Sequence, residues 1–216
     1  MKDLNAYINS LRHDFSSEAL DEKNVYRNPF SQFEKWLKEA IEAKIHEPNA
    51  MSVSTSTKEG KPSSRIVLLK NFDENGFIFY SNYTSRKGEK IAVNPNVALL
   101  FFWPELGRQV HIEGLIQKQS EEESNVYFKS RPYASKLGAW ASNQSKVIAN
   151  RNILEVEHER LAKQFPDENI PRPPHWGGYV LKPSTIEFWQ GRESRLHDRV
   201  LYTHEKTEWK IERLAP

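Results

Sequence analysis

Residues 51–81 read MSVSTSTKEGKPSSRIVLLKNFDENGFIFYS. Met51, Val53, Thr55 and Thr57 alternate with serines, the period of two that marks a half-buried strand. KEGKP (58–62) is a turn, SSRIVLLK (63–70) a second strand, NFDENG (71–76) a turn and FIFYS (77–81) a third strand. Strands joined by such short turns pair antiparallel. Upstream, Asn28 is a good N-cap and Pro29 suits the first helical position; Phe30, Phe33, Trp36, Leu37, Ala40 and Ile41 then fall on one helical face. Downstream, SRKGEKIAV (85–93) reads as a short helix stopped before Pro95. Asn96–Trp103 is a strand, PELG a turn and RQVHIEGLIQK (108–118) a long strand. Helices are expected over 121–129 and 134–141, split by Arg131-Pro132, and over 150–165. A Pro-rich connector anchored by Trp176 leads to short strands YVLKP, TIEFWQ, RLHDRVLY and EWKIERL. Helices inserted between turn-linked strands give an α+β domain, an antiparallel sheet or barrel with peripheral helices; strands and helices do not alternate as a doubly wound fold requires.

Residues 1–27 are polar with scattered apolar anchors and read as a flexible arm or lid; 28–216 read as one domain. Lys+Arg at 31 against Asp+Glu at 29 leaves a net charge of +2, which argues against a bulk polyanion binder and hence against nucleic acid as partner. The 6 Trp, 8 Tyr and 11 Phe supply a core. With no Cys, disulfides, thiolate metal sites and thiol nucleophiles are excluded. The N-terminal MKDLNAYINSLRHDF has no apolar signal core, and no run approaches the roughly 18 apolar residues of a membrane span, so a soluble, cytoplasmic protein is expected. Neither a P-loop nor a G-x-G-x-x-G element occurs, and the seven His are dispersed without metal-ligand spacing. Any bound anion must be held mainly by Arg, Lys and hydroxyl side chains.

Four segments carry candidate chemistry. On an extended RIVLLK, Arg65 and Lys70 lie about 16 Å apart, too far to share one phosphate. They act on separate anionic groups, or else each is a solvated strand end. Arg86-Lys87 opens the helix after FIFYS, where free N–H groups and two cations suit a phosphate, although a solvated basic turn has the same sequence. Tyr127, Arg131 and Ser135 recur every four residues across the Pro132 break and can converge as a second phosphate cup, or place Tyr127 in the core and Ser135 on the surface. In IEFWQGRESRLHDR (186–199), an extended Arg195–Arg199 would line Arg195, His197 and Arg199 on one face, with Trp189 able to wall a planar ring. The alternative is a salt-bridged surface strand.

These residues resemble the pyridoxamine (pyridoxine) 5′-phosphate oxidase family. IEFWQGRESRLHDR fits the family signature E-x-W-Q-x-x-x-x-R-L-H-D-R, and RIVLLK, GRQVHIEG, YFKSRP, GAWAS-x-QS and PHWGGY match in order over nearly the whole chain. The resemblance implies an FMN-binding split β-barrel with peripheral helices, assembled as a homodimer with FMN at the interface. It implies flavin contacts at Arg65, Ile66, Val67, Leu68, Leu69, Lys70, Tyr80, Ser81, Arg86, Lys87, Gln109, Gln144, Ser145, Trp189 and Arg199. Substrate contacts would be Lys70, Tyr127, Arg131, Ser135, Arg195, Leu196 and His197, with Arg195 and His197 catalytic and no metal. The implied reaction oxidises pyridoxamine or pyridoxine 5′-phosphate to pyridoxal 5′-phosphate, with O₂ as acceptor and hydrogen peroxide as product. Arg12 and Phe15 resemble an Arg-x-x-Tyr element that folds over substrate, but Phe15 lacks the phenol, and Arg192 has no counterpart role. Two rivals keep the barrel: a module that binds FMN or another large planar ligand without oxidising a vitamer, and an FMN-dependent reductase using a nicotinamide donor. The reductase needs no Tyr127-Arg131-Ser135 cup.

Overall fold

The computed structural model describes residues 2–11, 19–167 and 169–216; Arg12 and Phe15 of the expected arm lie outside them. The chain divides into two compact units, Met1–Pro48 with Leu100–Ile112 and Ser184–Pro216, and Asn49–Leu99 with Glu113–Pro183.

The unit containing Asn49–Leu99 is built on the antiparallel strands expected from residues 51–81. Strand β1 (Ala50–Ser56) pairs with β2 (Pro62–Leu68) in a register running from Ala50↔Leu68 to Ser56↔Pro62. Met51, Val53 and Thr55 are buried while the intervening residues are half-exposed. Asn71–Asp73, expected as part of a turn, forms a third strand, β3, against β4 (Gly76–Asn82), so only Glu74 and Asn75 turn. Gly76 closes that hairpin at φ +136, a conformation open to glycine, and a Cβ there would collide with the Leu181 carbonyl. The same unit holds helices α3 (Arg86–Val93), α4 (Glu121–Ser130), α5 (Tyr133–Ala141) and α6 (Asn152–Gln164), while strands β5 (Asn96–Trp103), β6 (Arg108–Lys118) and β7 (Trp176–Gln190) each have residues in both units. The strand order is β2-β1-β5-β6-β7-β4-β3. Phe128, Leu137, Leu161, Ile170 and Trp176 form a buried cluster with partly buried Tyr80 and Tyr127 packed against it.

YVLKP and TIEFWQ, expected as separate strands, are both part of continuous β7. Pro183 is tolerated because it falls between the stretch registered on β4, ending at Leu181, and the stretch registered on strand β8 (Asp198–Glu205), starting at Thr185.

The unit containing Ser184–Pro216 holds helix α1 (Lys2–Ser10), helix α2 (Pro29–Glu42), β8 and strand β9 (Glu208–Leu214). Asn28 caps α2, its side chain accepting from the Phe30 N–H at 2.8 Å. Of the apolar face predicted for α2, Phe30, Phe33, Trp36 and Ala40 are buried, Leu37 is half-buried and Ile41, in the last turn, is exposed. Phe33 packs on Phe101 with centroids 5.0 Å apart, and Trp36 sets its edge on Phe188 at 5.2 Å. Arg108 lies over Trp36 and pairs with Glu39. The RLHDRVLY strand is shorter than expected. Glu193–Arg195 is a single tight helical turn with Ser194 and Arg195 at φ 54 and 59, and extended pairing starts at Asp198. Arg195, His197 and Arg199 therefore do not form the alternating face an extended segment would give. No described helix is long and apolar enough to cross a membrane.

Candidate active site

At the end of β4 and the start of α3, the chain buries a cation. Ser85 caps α3, accepting from the Gly88 N–H and donating to the Asn82 carbonyl. Gly88 lets the helix start lie against the Tyr83 carbonyl, which a Cβ would strike at 2.1 Å. Lys87 is 8% exposed. Its Nζ donates to Ser81 Oγ at 2.8 Å, Ser85 Oγ at 3.3 Å and Gln144 Oε1 at 2.6 Å, all neutral acceptors. Burial, and then the charge of Arg65, pull its pKa down to about 8. Arg65 projects from β2, opposite Val53, and donates to the Val53 carbonyl, Thr55 Oγ1 and Ser63 Oγ; burial lowers its pKa as well. Among the described residues neither cation pairs with a carboxylate. Two desolvated positive groups acting on each other without a counter-ion cost free energy, and a dianion between them would offset that cost. Arg86 beside them is exposed, as are Gln144 and Ser145, the latter at φ 74.

A second group forms where α4 ends. Lys70 has left β2: its N–H donates to the Ile78 carbonyl, and its side chain lines a cavity of about 560 Å³ with Tyr80, Gln119, Tyr127 and Ser130. Tyr80 and Tyr127 stack at 3.7 Å, and burial pushes the Tyr80 phenol up to about 12, so it stays a donor near neutrality. Asp73, Glu122 and Glu123 also line this cavity, an acidic margin that a phosphate would have to avoid. Arg131 ends α4 in extended conformation, its guanidinium 4.5 Å above Trp176. Its Nη1 is buried and has no hydrogen-bond partner among the described residues, and burial lowers its pKa. Ser135, half-buried, lies in the first turn of α5. Arg131 and Ser135 are not in the wall of the Lys70–Tyr127 cavity. The Trp176 platform under Arg131 was legible only as an anchor of the connector.

The third group belongs to the unit with β8. His197 lies 4.6 Å from Trp189, ring to ring, and its Nδ1 accepts from the Arg192 N–H at 3.0 Å, which leaves Nε2 to carry the proton of a neutral ring. Arg195 and Leu196 are exposed. Arg199 makes two bonds to Glu187, at 2.8 and 2.9 Å, and a third to the Ala215 carbonyl; Glu187 holds its pKa above the usual range. Arg199 thus follows the salt-bridged alternative; its partner, Glu187, is set by the β7–β8 register, in which Trp189 faces Arg199 and Glu187 lies two residues along β7. Gln109 is half-buried in β6. Ile66 is exposed, Leu69 is buried, and Val67 and Leu68 lie between.

Two family models cover most of the chain: pyridoxamine 5′-phosphate oxidase over residues 37–165, and the pyridoxine 5′-phosphate oxidase C-terminal dimerisation region over 176–216. Pyridoxine/pyridoxamine 5′-phosphate oxidases of Burkholderia mallei (strain SAVP1) and Burkholderia thailandensis (strain E264) are each 57% identical over 209 residues, 95% of this chain and 97% of theirs. Among solved structures, PhzG of Burkholderia lata 383, in complex with tetrahydrophenazine-1-carboxylic acid, superposes with TM-score 0.87 at 30% identity over 94% of this chain and 100% of its own. A pyridoxamine 5′-phosphate oxidase-related, FMN-binding protein of Nostoc punctiforme PCC 73102 reaches TM-score 0.70 at 16% identity, over 88% of this chain and 98% of its own, a likeness of fold alone. The chain belongs to the pyridoxamine 5′-phosphate oxidase family and has its α+β split β-barrel fold.

Proposed function

We propose that this protein is a homodimeric, cytoplasmic FMN-dependent oxidase that converts pyridoxamine or pyridoxine 5′-phosphate to pyridoxal 5′-phosphate, with O₂ as acceptor and hydrogen peroxide as product. The observation that carries the reading is the buried Lys87 beside Arg65 with only neutral acceptors, a charge arrangement that fits the phosphate of a flavin mononucleotide. FMN supplies there a hydride acceptor that O₂ can regenerate. Lys87, Arg65 and Arg86, with Ser81, Gln144 and Ser145, would hold its phosphate end; residues 66–70 with Tyr80, Gln109, Trp189 and Arg199 would hold the rest.

The vitamer's phosphate would be held by Lys70, Tyr127, Arg131 and Ser135. The unpartnered Arg131 Nη1 supports this, because a buried guanidinium nitrogen lacking an acceptor is costly until an anion supplies one. Binding energy from that remote phosphate orients the reacting carbon. Arg195, Leu196 and His197 would cover the substrate ring, and Arg195 and His197 would orient its amine or hydroxyl. Carrying its proton on Nε2, His197 can donate there when neutral.

Oxygen uptake tests the reading. Pyridoxamine 5′-phosphate should support uptake with stoichiometric peroxide, and pyridoxamine without its phosphate should be a far weaker substrate. A protein that consumes no oxygen with the phosphorylated vitamer, yet is reduced by a nicotinamide donor, would be a reductase on the same barrel.

A further inference from the structure

We propose that Asp198 and Arg213 are positioning residues, which lock the backbone of Leu20 against the foot of the Arg195–His197 turn and so hold His197 in its tautomer and orientation. The inference rests on the reading of Arg195 and His197 as substrate-side groups, and it concerns residues that reading does not use.

The turn needs external support. Ser194 and Arg195 adopt left-handed backbone without being glycine, and such geometry persists only where the surroundings over-determine it. Within the turn itself, Leu196 N–H donates to the Glu193 carbonyl and Arg192 N–H to His197 Nδ1. The next residue, Asp198, is where the turn meets the rest of the unit. Its Oδ1 accepts from Arg213 Nη1 at 2.7 Å and its Oδ2 from the Leu20 N–H at 3.1 Å. Arg213 Nη2 then donates to the Leu20 carbonyl at 2.9 Å, closing a ring of three bonds through the backbone N–H and C=O of one residue. Glu22 binds Arg213 from outside through Nε at 2.7 Å, and Arg192 lies 3.7 Å from Asp198.

Single ion pairs on a surface contribute little, and Arg213 is 40% exposed. This one differs in three respects. It includes both backbone polar groups of Leu20, that residue is 7% exposed, and the residues joined lie 178 and 15 positions apart in sequence. The ring therefore ties two distant segments, around Leu20 and Arg213, to the residue that follows His197. Loss of either charged member frees Asp198 or the Leu20 backbone, and the strained turn relaxes toward ordinary backbone, carrying His197 away from the Arg192 N–H.

The test uses the holoenzyme labelled with ¹⁵N-histidine, whose seven histidines are few enough to resolve. The His197 signals are assigned by their loss in His197→Asn. The wild type should show the Nε2–H tautomer at His197. Arg213→Gln and Asp198→Asn should each replace it with a mixture of tautomers, while Arg213→Lys should restore part of the signal and Glu22→Gln should leave it in place. In turnover, Arg213→Gln should raise KM for pyridoxamine 5′-phosphate about tenfold with flavin content unchanged, and the double variant should lose no more than the worse single one. An unchanged His197 signal in Arg213→Gln, or an equal shift in Glu22→Gln, overturns the proposal. Should Arg213→Gln fail to fold, Arg213→Lys and Asp198→Asn decide it by the same signal. Absence of vitamer turnover in the wild type would defeat the oxidase reading alone, since the ring signal needs no substrate.

Discussion

Lys87 at the start of α3 and Arg199 at the start of β8 are both cations in the proposed flavin set, and the fold treats them in opposite ways. Lys87 is buried among two hydroxyls and an amide, its pKa lowered first by burial and then by Arg65. Arg199 is joined in two parallel bonds to Glu187, its pKa raised by that carboxylate. Neutral acceptors orient a charge without cancelling it, so Lys87 retains its attraction for an anion. A carboxylate satisfies the charge on the spot, which leaves Arg199 a fixed donor in a sheet and a weaker source of anion affinity. The Lys87 region thus keeps an uncancelled charge that suits the proposed dianion, whereas the Arg199 region has its charge matched within the sheet.

The largest effect expected from this contrast is at Lys87. Replacement by Met should weaken FMN binding by about a hundredfold or more, the scale of a lost charge-assisted contact to a phosphate. The ligand-free protein should melt no lower than wild type, because an uncompensated buried ammonium is removed. An affinity within about threefold of wild type would break the comparison. Arg131→Gln should come next, raising KM for the phosphorylated vitamer by roughly thirtyfold with flavin retained; parallel loss of flavin would merge the flavin-phosphate and vitamer-phosphate sites into one.

The pH dependence sharpens the same point. Folding lowers the pKa of Lys87 from 10.5 to about 8, so between those values the unfolded chain binds more protons than the folded one. Ligand-free stability should therefore rise with pH across that window, relative to Lys87→Met, which removes the group. FMN affinity should move the other way, falling by up to about tenfold per pH unit above 8, because a neutral Lys87 must take up a proton to face the dianion. Calorimetry of both proteins on either side of the window checks the signs. Glu187→Gln should have a smaller consequence for ligand, changing FMN affinity less than Lys87→Met while lowering the melting temperature through the lost Arg199 pair. The smallest effect is at Asn28, where Ala should cost about 1 kcal/mol of stability and leave both ligands untouched.

The contrast also explains what could be read from residues alone. The alternation from Met51 to Thr55, the Asn28-Pro29 helix start and the break at Arg131-Pro132 are local signals, and local signals survive into the fold. Asn71–Asp73 has the residues of a turn but pairs with β4 all the same, since a neighbouring strand supplies bonds that propensity does not record. The turn at Ser194 and Arg195 was invisible because no glycine marks its left-handed positions, and the surrounding sequence alternates as a strand would. Lys87 and Arg86 are adjacent cations with the same apparent solubility, yet one is buried and the other exposed; only the packing of α3 separates them.

The central claim is that two separate cationic sites serve two phosphates. Anaerobic titration of the purified flavoprotein tests it most directly. Pyridoxamine 5′-phosphate should bleach the flavin band at about 450 nm in equimolar steps, with pyridoxamine needing far higher concentration and NADH leaving the band intact. Bleaching by NADH, or equal bleaching by pyridoxamine with and without its phosphate, would contradict it.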